Sequence, residues 1–203
     1  MEKSIRQPKQ QRSIDKKERI IKAAYELFSE NGYHGTVTSD IAKRAGVSTG
    51  IVYGYFADKR DILFYVLKIY IRETATPVME YFTSVSKDVS LEELFDNIIT
   101  VTQSIHQKSA NLHNILHSLA FVNEDINEEF LHLEKHITVS AAQRLNEIGV
   151  TTERLEEKVH IAMNVIQDYA HEAIYDRHDY IDYDAMRKDV IKLLVSLFGK
   201  NVF

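Results

Sequence analysis

The chain has 203 residues, 44% of them hydrophobic and 27% charged, with seven glycines, two prolines and no cysteine. Without cysteine there are no disulfides and no thiolate-bound zinc, and so little glycine and proline leaves few turns, which favours long helices. No apolar run approaches the roughly 18 residues of a membrane span and the N-terminus is polar, which points to a cytoplasmic protein without a membrane partner.

The formal net charge of −5 conceals a division. Residues 1–70 hold 13 Lys and Arg against 8 Asp and Glu, whereas the remaining 133 hold 12 against 22. Such asymmetry suggests a basic N-terminal part that meets a polyanion and an acidic remainder with another task.

Residues 1–12 carry Lys3, Arg6, Lys9 and Arg12 with almost nothing to bury, and read as a basic flexible arm. From Ser13, Ile20, Ala24, Leu27 and Phe28 recur at helical spacing, and Gly32 is a natural stop. Thr38 is placed to cap a second helix with Ile41, Ala42 and Ala45 facing inward, ended by Gly46. Ser48 caps a third helix containing Val52 and Phe56, and Asp58 with Asp61 opens a fourth. That helix is expected to run from Lys59 to about Ala75, because Pro77 biases Thr76 away from helical geometry. Two short helices joined by Ala45-Gly46-Val47-Ser48 make a helix-turn-helix. The resulting division is an arm (1–12), a helix-turn-helix head (13–58), a connecting helix (59–76) and a helical body (77–203).

In the body, Ser90 and Glu93 form a capping box for a helix reaching to about Gln107, followed by a shorter apolar segment from Leu112 to Val122. Ile126, Phe130, Leu133 and Ile137 mark a longer helix ending at Gly149, and Leu155, Val159, Met163, Ile166 and Ala170 mark the next. The last helix is apolar over more than one stripe, which suggests a partner. A homodimer formed by the last two helices and their copies is expected, with Leu155, Val159, Met163, Ile166, Val190, Leu194 and Leu197 at its interface.

The run IIKAAYELFSENGYHGTVTSDIAKRAGVSTGIVYGYFADKRDIL resembles the N-terminal domain of TetR-family transcriptional regulators, over roughly residues 14–64. The resemblance implies an all-α protein: a three-helix DNA-binding head followed by a larger ligand-binding and dimerising body. It implies a regulator, most often a repressor, released from a palindromic double-stranded operator by a small-molecule effector. It also implies that Thr38, Tyr53, Tyr55 and Lys59 anchor phosphates. The alternative for Tyr53 is that its ring packs in the core.

On a recognition helix, Gly50 and Gly54 would let the backbone approach the DNA closely, which offsets their propensity cost. Thr49 suits a base edge, and Ile51, where the family usually has a polar residue, suits a thymine methyl. An effector pocket is implied, with His117, Asn164, Asp168 and Tyr169 as polar candidates to line it.

Nine histidines raise a rival, a metal-binding helical bundle or di-iron-type oxidase. Glu129/His132 and Glu157/His160 have the ligand spacing, but helical phase turns both pairs away from the apolar stripes. His113/His117 and His132/His136 offer only two ligands each, and Tyr175 stands where a zinc motif beginning at His171-Glu172 needs its second histidine. No enzyme activity, no metal and no cofactor is expected.

Overall fold

The computed structural model describes residues 11–108 and 110–199. Among them the chain is helical, without strands: α1 (Gln11–Gly35), α2 (Thr38–Ala45), α3 (Thr49–Tyr55), α4 (Lys59–Ser84), α5 (Leu91–Lys108), α6 (Ala110–Ala120), α7 (Glu124–Glu147), α8 (Leu155–Tyr175) and α9 (Tyr183–Phe198). The basic arm falls largely outside the described residues. The fold divides into two compact units, one holding the described residues up to Arg72 and those from 110 to Asn127, the other holding Glu73–Lys108 and the residues from Glu128 onward.

The first unit is built on α1, α2, α3, the start of α4, and α6. Its core joins Ile20, Ala24 and Phe28 of α1 to Ile41, Ala42, Val52, Phe56 and Ile62, all essentially without solvent exposure. α6, which the sequence reading grouped with the body, packs on α1 in this unit and buries Leu112 and Leu116.

Three local devices set the head. Gly32, at φ 73°, breaks α1 where the sequence suggested a stop, although one further turn follows it. Buried Thr36 then donates its hydroxyl to the carbonyls of Leu27 (3.2 Å) and Gly32 (2.9 Å). Gly46, left-handed at φ 67°, ends α2, and the Gly46 and Val47 amides close on the Lys43 and Ala42 carbonyls at 3.2 and 3.0 Å. The cap of α2 differs from expectation: Val37 occupies the N-cap and Thr38 is already helical.

A second departure is α4, which passes through Pro77 and continues to Ser84. A proline removes one backbone donor and crowds the preceding turn. Here the following turns bury Phe82 and, just beyond the helix, Val85, while Arg144 donates to the carbonyls of both at 3.2 and 2.6 Å. Packing and this capping override the local preference.

The second unit assembles α5, α8 and α9 with the later parts of α4 and α7. Ser90 caps α5 as expected, its hydroxyl accepting from the Glu93 amide at 3.1 Å. Arg187 of α9 binds α5 through the Asp96 carboxylate (2.7 Å), the Asp96 carbonyl (2.7 Å), Thr100 (2.6 Å) and Gln103 (3.1 Å). No described helix is long and apolar enough to cross a membrane.

Lys59 completes the head. Its ammonium donates to the carbonyls of Tyr33 and Thr36, both at 2.7 Å, and lies 4.2 Å from the Tyr33 ring centroid. Replacing it by methionine leaves two carbonyls without their charged donor and is expected to lower the stability of the DNA-free protein by about 2 kcal/mol. Urea unfolding measures this, and an unchanged midpoint would show that the ammonium has no structural role.

Candidate nucleic-acid interface and effector cavity

α3 begins after Ser48, whose backbone is extended, and its seven residues divide cleanly by exposure. Val52 and Tyr55 are buried with Phe56, whereas Gly50, Tyr53 and Gly54 face solvent and Thr49 and Ile51 are half-exposed. Five of the six α3 residues assigned to DNA contact therefore share an accessible surface. Tyr55 does not. The resemblance implied a phosphate anchor, but Tyr55 lies three residues from Val52 and so shares its buried face. Its hydroxyl instead bonds Ser13 Oγ at 2.7 Å and fastens α3 to the start of α1.

The two glycines are not demanded by the fold. A Cβ on Gly50 would meet only Ser48 Oγ, at 3.9 Å, and a Cβ on Gly54 would meet nothing within 4 Å. Neither glycine has a left-handed backbone. Each lowers the stability of the helix by about 1 kcal/mol relative to alanine, with no compensation inside the molecule. Tyr53, 45% exposed, presents its phenol beside them.

At the flanks, Thr38 sits half-exposed in the first turn of α2 beside exposed Val37, a surface residue the sequence reading did not single out. Lys59, assigned to a phosphate, donates two of its three ammonium N–H groups to the Tyr33 and Thr36 carbonyls, and burial lowers its pKa from the ordinary lysine value. Nothing in its sequence neighbourhood announces this, because both acceptors are backbone carbonyls. Arg44, left out of the site, is held by Glu26 and Glu30 at 3.2 and 2.8 Å.

In the second unit, α4, α5, α7, α8 and α9 enclose a cavity of about 50 Å³. Its wall is Val78, Phe82, Leu94, Phe95, Ile98, Ile137, Ala141, Leu145, Val159, Ala162, Met163, Ile166 and Phe198, with Thr102 and Gln167 as its polar members. None of the four residues proposed from the sequence lines it. Asn164 and Asp168 lie on the exposed side of α8, His117 is an exposed residue of the first unit, and Tyr169 is buried with its hydroxyl on the Tyr183 carbonyl at 3.0 Å. Gln167, between them in sequence, reaches the cavity from a largely exposed position; its one signal is its place four residues after Met163, which shares its face.

Of the expected interface stripe, Val159, Ile166 and Leu194 are buried within the second unit, whereas Leu155, Met163, Val190 and Leu197 pack partly against the same core and keep exposed surface. The exposed apolar side chains of α8 and α9 are Ile161 and Leu193, at 46% and 58%. The apolar excess of α9 noted in the sequence is thus divided between its own core and an outward face.

His113 and His117 stack at 4.2 Å between centroids, and the Tyr70 hydroxyl meets His113 Nδ1 at 2.6 Å. Among the described residues no three His, Asp or Glu are grouped to hold a metal ion.

Beyond the polar end of the cavity, buried His106 bonds Gln167 Oε1 through Nε2 at 2.8 Å, and Tyr175 donates to the His106 carbonyl. Burial, reinforced by His171 and opposed by the Gln167 bond, lowers the His106 pKa; burial alone pushes Tyr175 up to about 12. A histidine with a depressed folded pKa binds its proton more readily in the unfolded chain, so its contribution is intact at neutral pH and is lost as pH falls below about 6.5. Melting temperature is therefore expected to decline from pH 7 to 5, with a shallower decline in His106→Gln. Parallel declines would remove His106 as the source.

The segment 20–66 matches the model of the tetR family of bacterial regulatory proteins. The chain is 54% identical over 54 residues to the HTH-type transcriptional regulator HbdR of Aromatoleum sp., covering 27% of this chain and 24% of that one. It is 38% identical over 104 residues to the fatty acid metabolism regulator protein of Bacillus subtilis, covering 46% and 53%. It thus spans between a quarter and about half the length of these curated relatives. Among solved structures, a TetR-family transcriptional regulator from Mesorhizobium loti superposes with a TM-score of 0.74 at 20% identity, over 93% of this chain and 97% of the other. The Bacillus subtilis regulator FadR in complex with stearoyl-CoA does so at 0.61 and 24% identity, over 88% and 97%. Residues 20–66 thus carry the N-terminal domain of the tetR family of bacterial regulatory proteins, and the fold along the chain is that of solved TetR-family regulators.

Proposed function

We propose that the protein is a dimeric, ligand-responsive transcriptional regulator that binds a palindromic operator through α3 and leaves it when a small molecule occupies the cavity of the second unit. The observation that carries this reading is the outward face of α3. Two glycines that the fold does not require lie one turn apart on it, flanked by Thr49, Ile51 and Tyr53. A bare backbone there is useful only against a surface that comes close, and the major groove is such a surface.

In this mechanism Thr49 donates to a base edge and Ile51 packs on a thymine methyl. The Tyr53 and Thr38 hydroxyls hold phosphates and set register. Tyr55 positions the reading helix from inside the head, and Lys59 braces the head through two carbonyls and keeps one N–H for a phosphate. Dimerisation through the outward faces of α8 and α9, with Ile161 and Leu193 central, would present two such helices to two half-sites. A ligand that binds better to the conformer with wrongly spaced heads then empties the operator; moving a nearly full ensemble to nearly empty takes roughly 5 kcal/mol of differential affinity.

Selection of duplexes from a random pool by the purified protein is expected to return a two-fold symmetric sequence. Recovery of unrelated sequences only would contradict the reading. A second expectation separates recognition from folding. Gly54→Ala gains about 1 kcal/mol of helix propensity, so it is expected to raise the melting temperature while weakening operator binding at least tenfold. Higher stability with unchanged DNA affinity would remove Gly54 from the interface.

A further inference from the structure

Phe121 is 92% exposed and Val122 79%, in the short turn between α6 and α7. The turn is fixed on both sides. The Val122 amide closes on the Leu119 carbonyl at 3.1 Å. Asn123 opens α7, its carbonyl accepting from the Asn127 amide at 3.0 Å and its side-chain oxygen from the Ile126 amide at 3.4 Å. None of these bonds needs an aromatic ring, and turns are ordinarily built from small polar residues. The Phe121 ring adds nothing to the core of its unit. Single exposed apolar residues are ordinary, but two adjacent ones on a fixed turn beside an apolar hollow form a patch, and such patches mark surfaces that meet a partner.

That hollow lies in the same unit and measures about 200 Å³; Tyr33, Leu63, Leu119, Val122 and Ile126 wall it, and Arg60 is the charged residue of its wall. An engineered apolar cavity of ~150 Å³ admits benzene, so the hollow has room for a phenyl ring. Phe121 does not fill it, since its own ring stands in solvent. Projection and hollow therefore adjoin on one surface, joined through Val122. Charge is divided in the same way. Exposed Glu124 and Asp125, in the first turn of α7, follow the projection, and Arg60 belongs to the hollow. A patch that carries a shape with its complement, and both signs of charge, matches a copy of itself turned about a two-fold axis. A partner of another kind would use only half of it.

We infer that the first unit carries a self-association surface in which Phe121 of each copy enters the hollow of a second copy, and Arg60 meets that copy's Glu124 and Asp125. The contact uses other helices than the α8 and α9 faces of the proposed dimer, so it goes beyond that reading and does not depend on it. Where both contacts form, more than two copies associate, and regulators on adjoining operators occupy them cooperatively. Both copies contribute a phenyl ring, so loss of Phe121 removes the central apolar contact twice.

The test is sedimentation velocity of the full-length protein across the micromolar range, for the wild type, Phe121→Ser, Leu193→Glu and the double variant. The wild type is expected to assemble beyond two copies and each single variant to stop at two, held by the contact that remains. The double variant is expected to sediment as one copy. Phe121→Ser is expected to weaken its own contact, read in the Leu193→Glu background, by roughly a hundredfold or more. Phe121→Ser that associates as the wild type does, or Leu193→Glu found only as single copies, would overturn the inference. A wild type of two copies that Phe121→Ser alone reduces to one supports the inference and counts against the α8–α9 dimer. The register is tested by charge: Arg60→Glu weakens the contact at least tenfold, and Glu124→Lys with Asp125→Lys restores it. Weakening without restoration would contradict the pairing described. All substituted side chains are exposed, and circular dichroism melts verify that the variants fold.

Discussion

The head depends on one ammonium group. Lys59 at the start of α4 donates to one carbonyl in the last turn of α1 and one just beyond it, across 26 and 23 residues of chain. Everything between, α2, the turn at Gly46 and α3, is thereby closed into a loop whose ends are tied. The Ser13–Tyr55 bond ties the same segment a second time, to the beginning of α1. A seven-residue helix is too short to be stable alone. It persists because Val52, Tyr55 and Phe56 are buried and its two flanks are held. This releases the outward face from any structural duty, and Gly50 and Gly54 are tolerable there for that reason.

How far this was legible in the sequence follows from the range of each interaction. Caps, turns and apolar phase are local, and they were readable: Gly46 ends α2, Ser48 precedes α3, Ser90 caps α5, and the Asp58–Asp61 pair opens α4, with the Asp61 amide on Asp58 at 2.8 Å. Bonds from side chains to distant carbonyls leave no sequence trace, so neither the structural tie made by Lys59 nor that made by Arg144 was noticed. Pro77 misled because a local steric preference was set against burial of Phe82 beyond it. Tyr55 is the avoidable error, since its spacing from Val52 already placed it inward.

The body was harder for a different reason. An apolar stripe says that a face is covered, and does not say whether a cavity, the same chain or a second copy covers it. Val159 illustrates this: assigned to a dimer interface, it lines the internal cavity. The residues left for a partner, Ile161 and Leu193, lie outside the regular stripes. Polar residues were sought for the pocket because ligands need orientation, yet the wall has just two, and the more telling feature is that none is charged. What joins the units functionally is a division of labour: a head with an unfilled outward face and a body with an unfilled interior.

The central claim is that α3 reads bases and does not merely attract phosphate. Fluorescence anisotropy of one duplex bearing the selected palindrome and one with the same composition scrambled, each titrated at several salt concentrations, tests it most directly. The account predicts that affinity for both falls as salt rises, and that the palindrome is bound about a thousandfold or more tightly throughout. Equal affinity for the two duplexes at every salt concentration would contradict it.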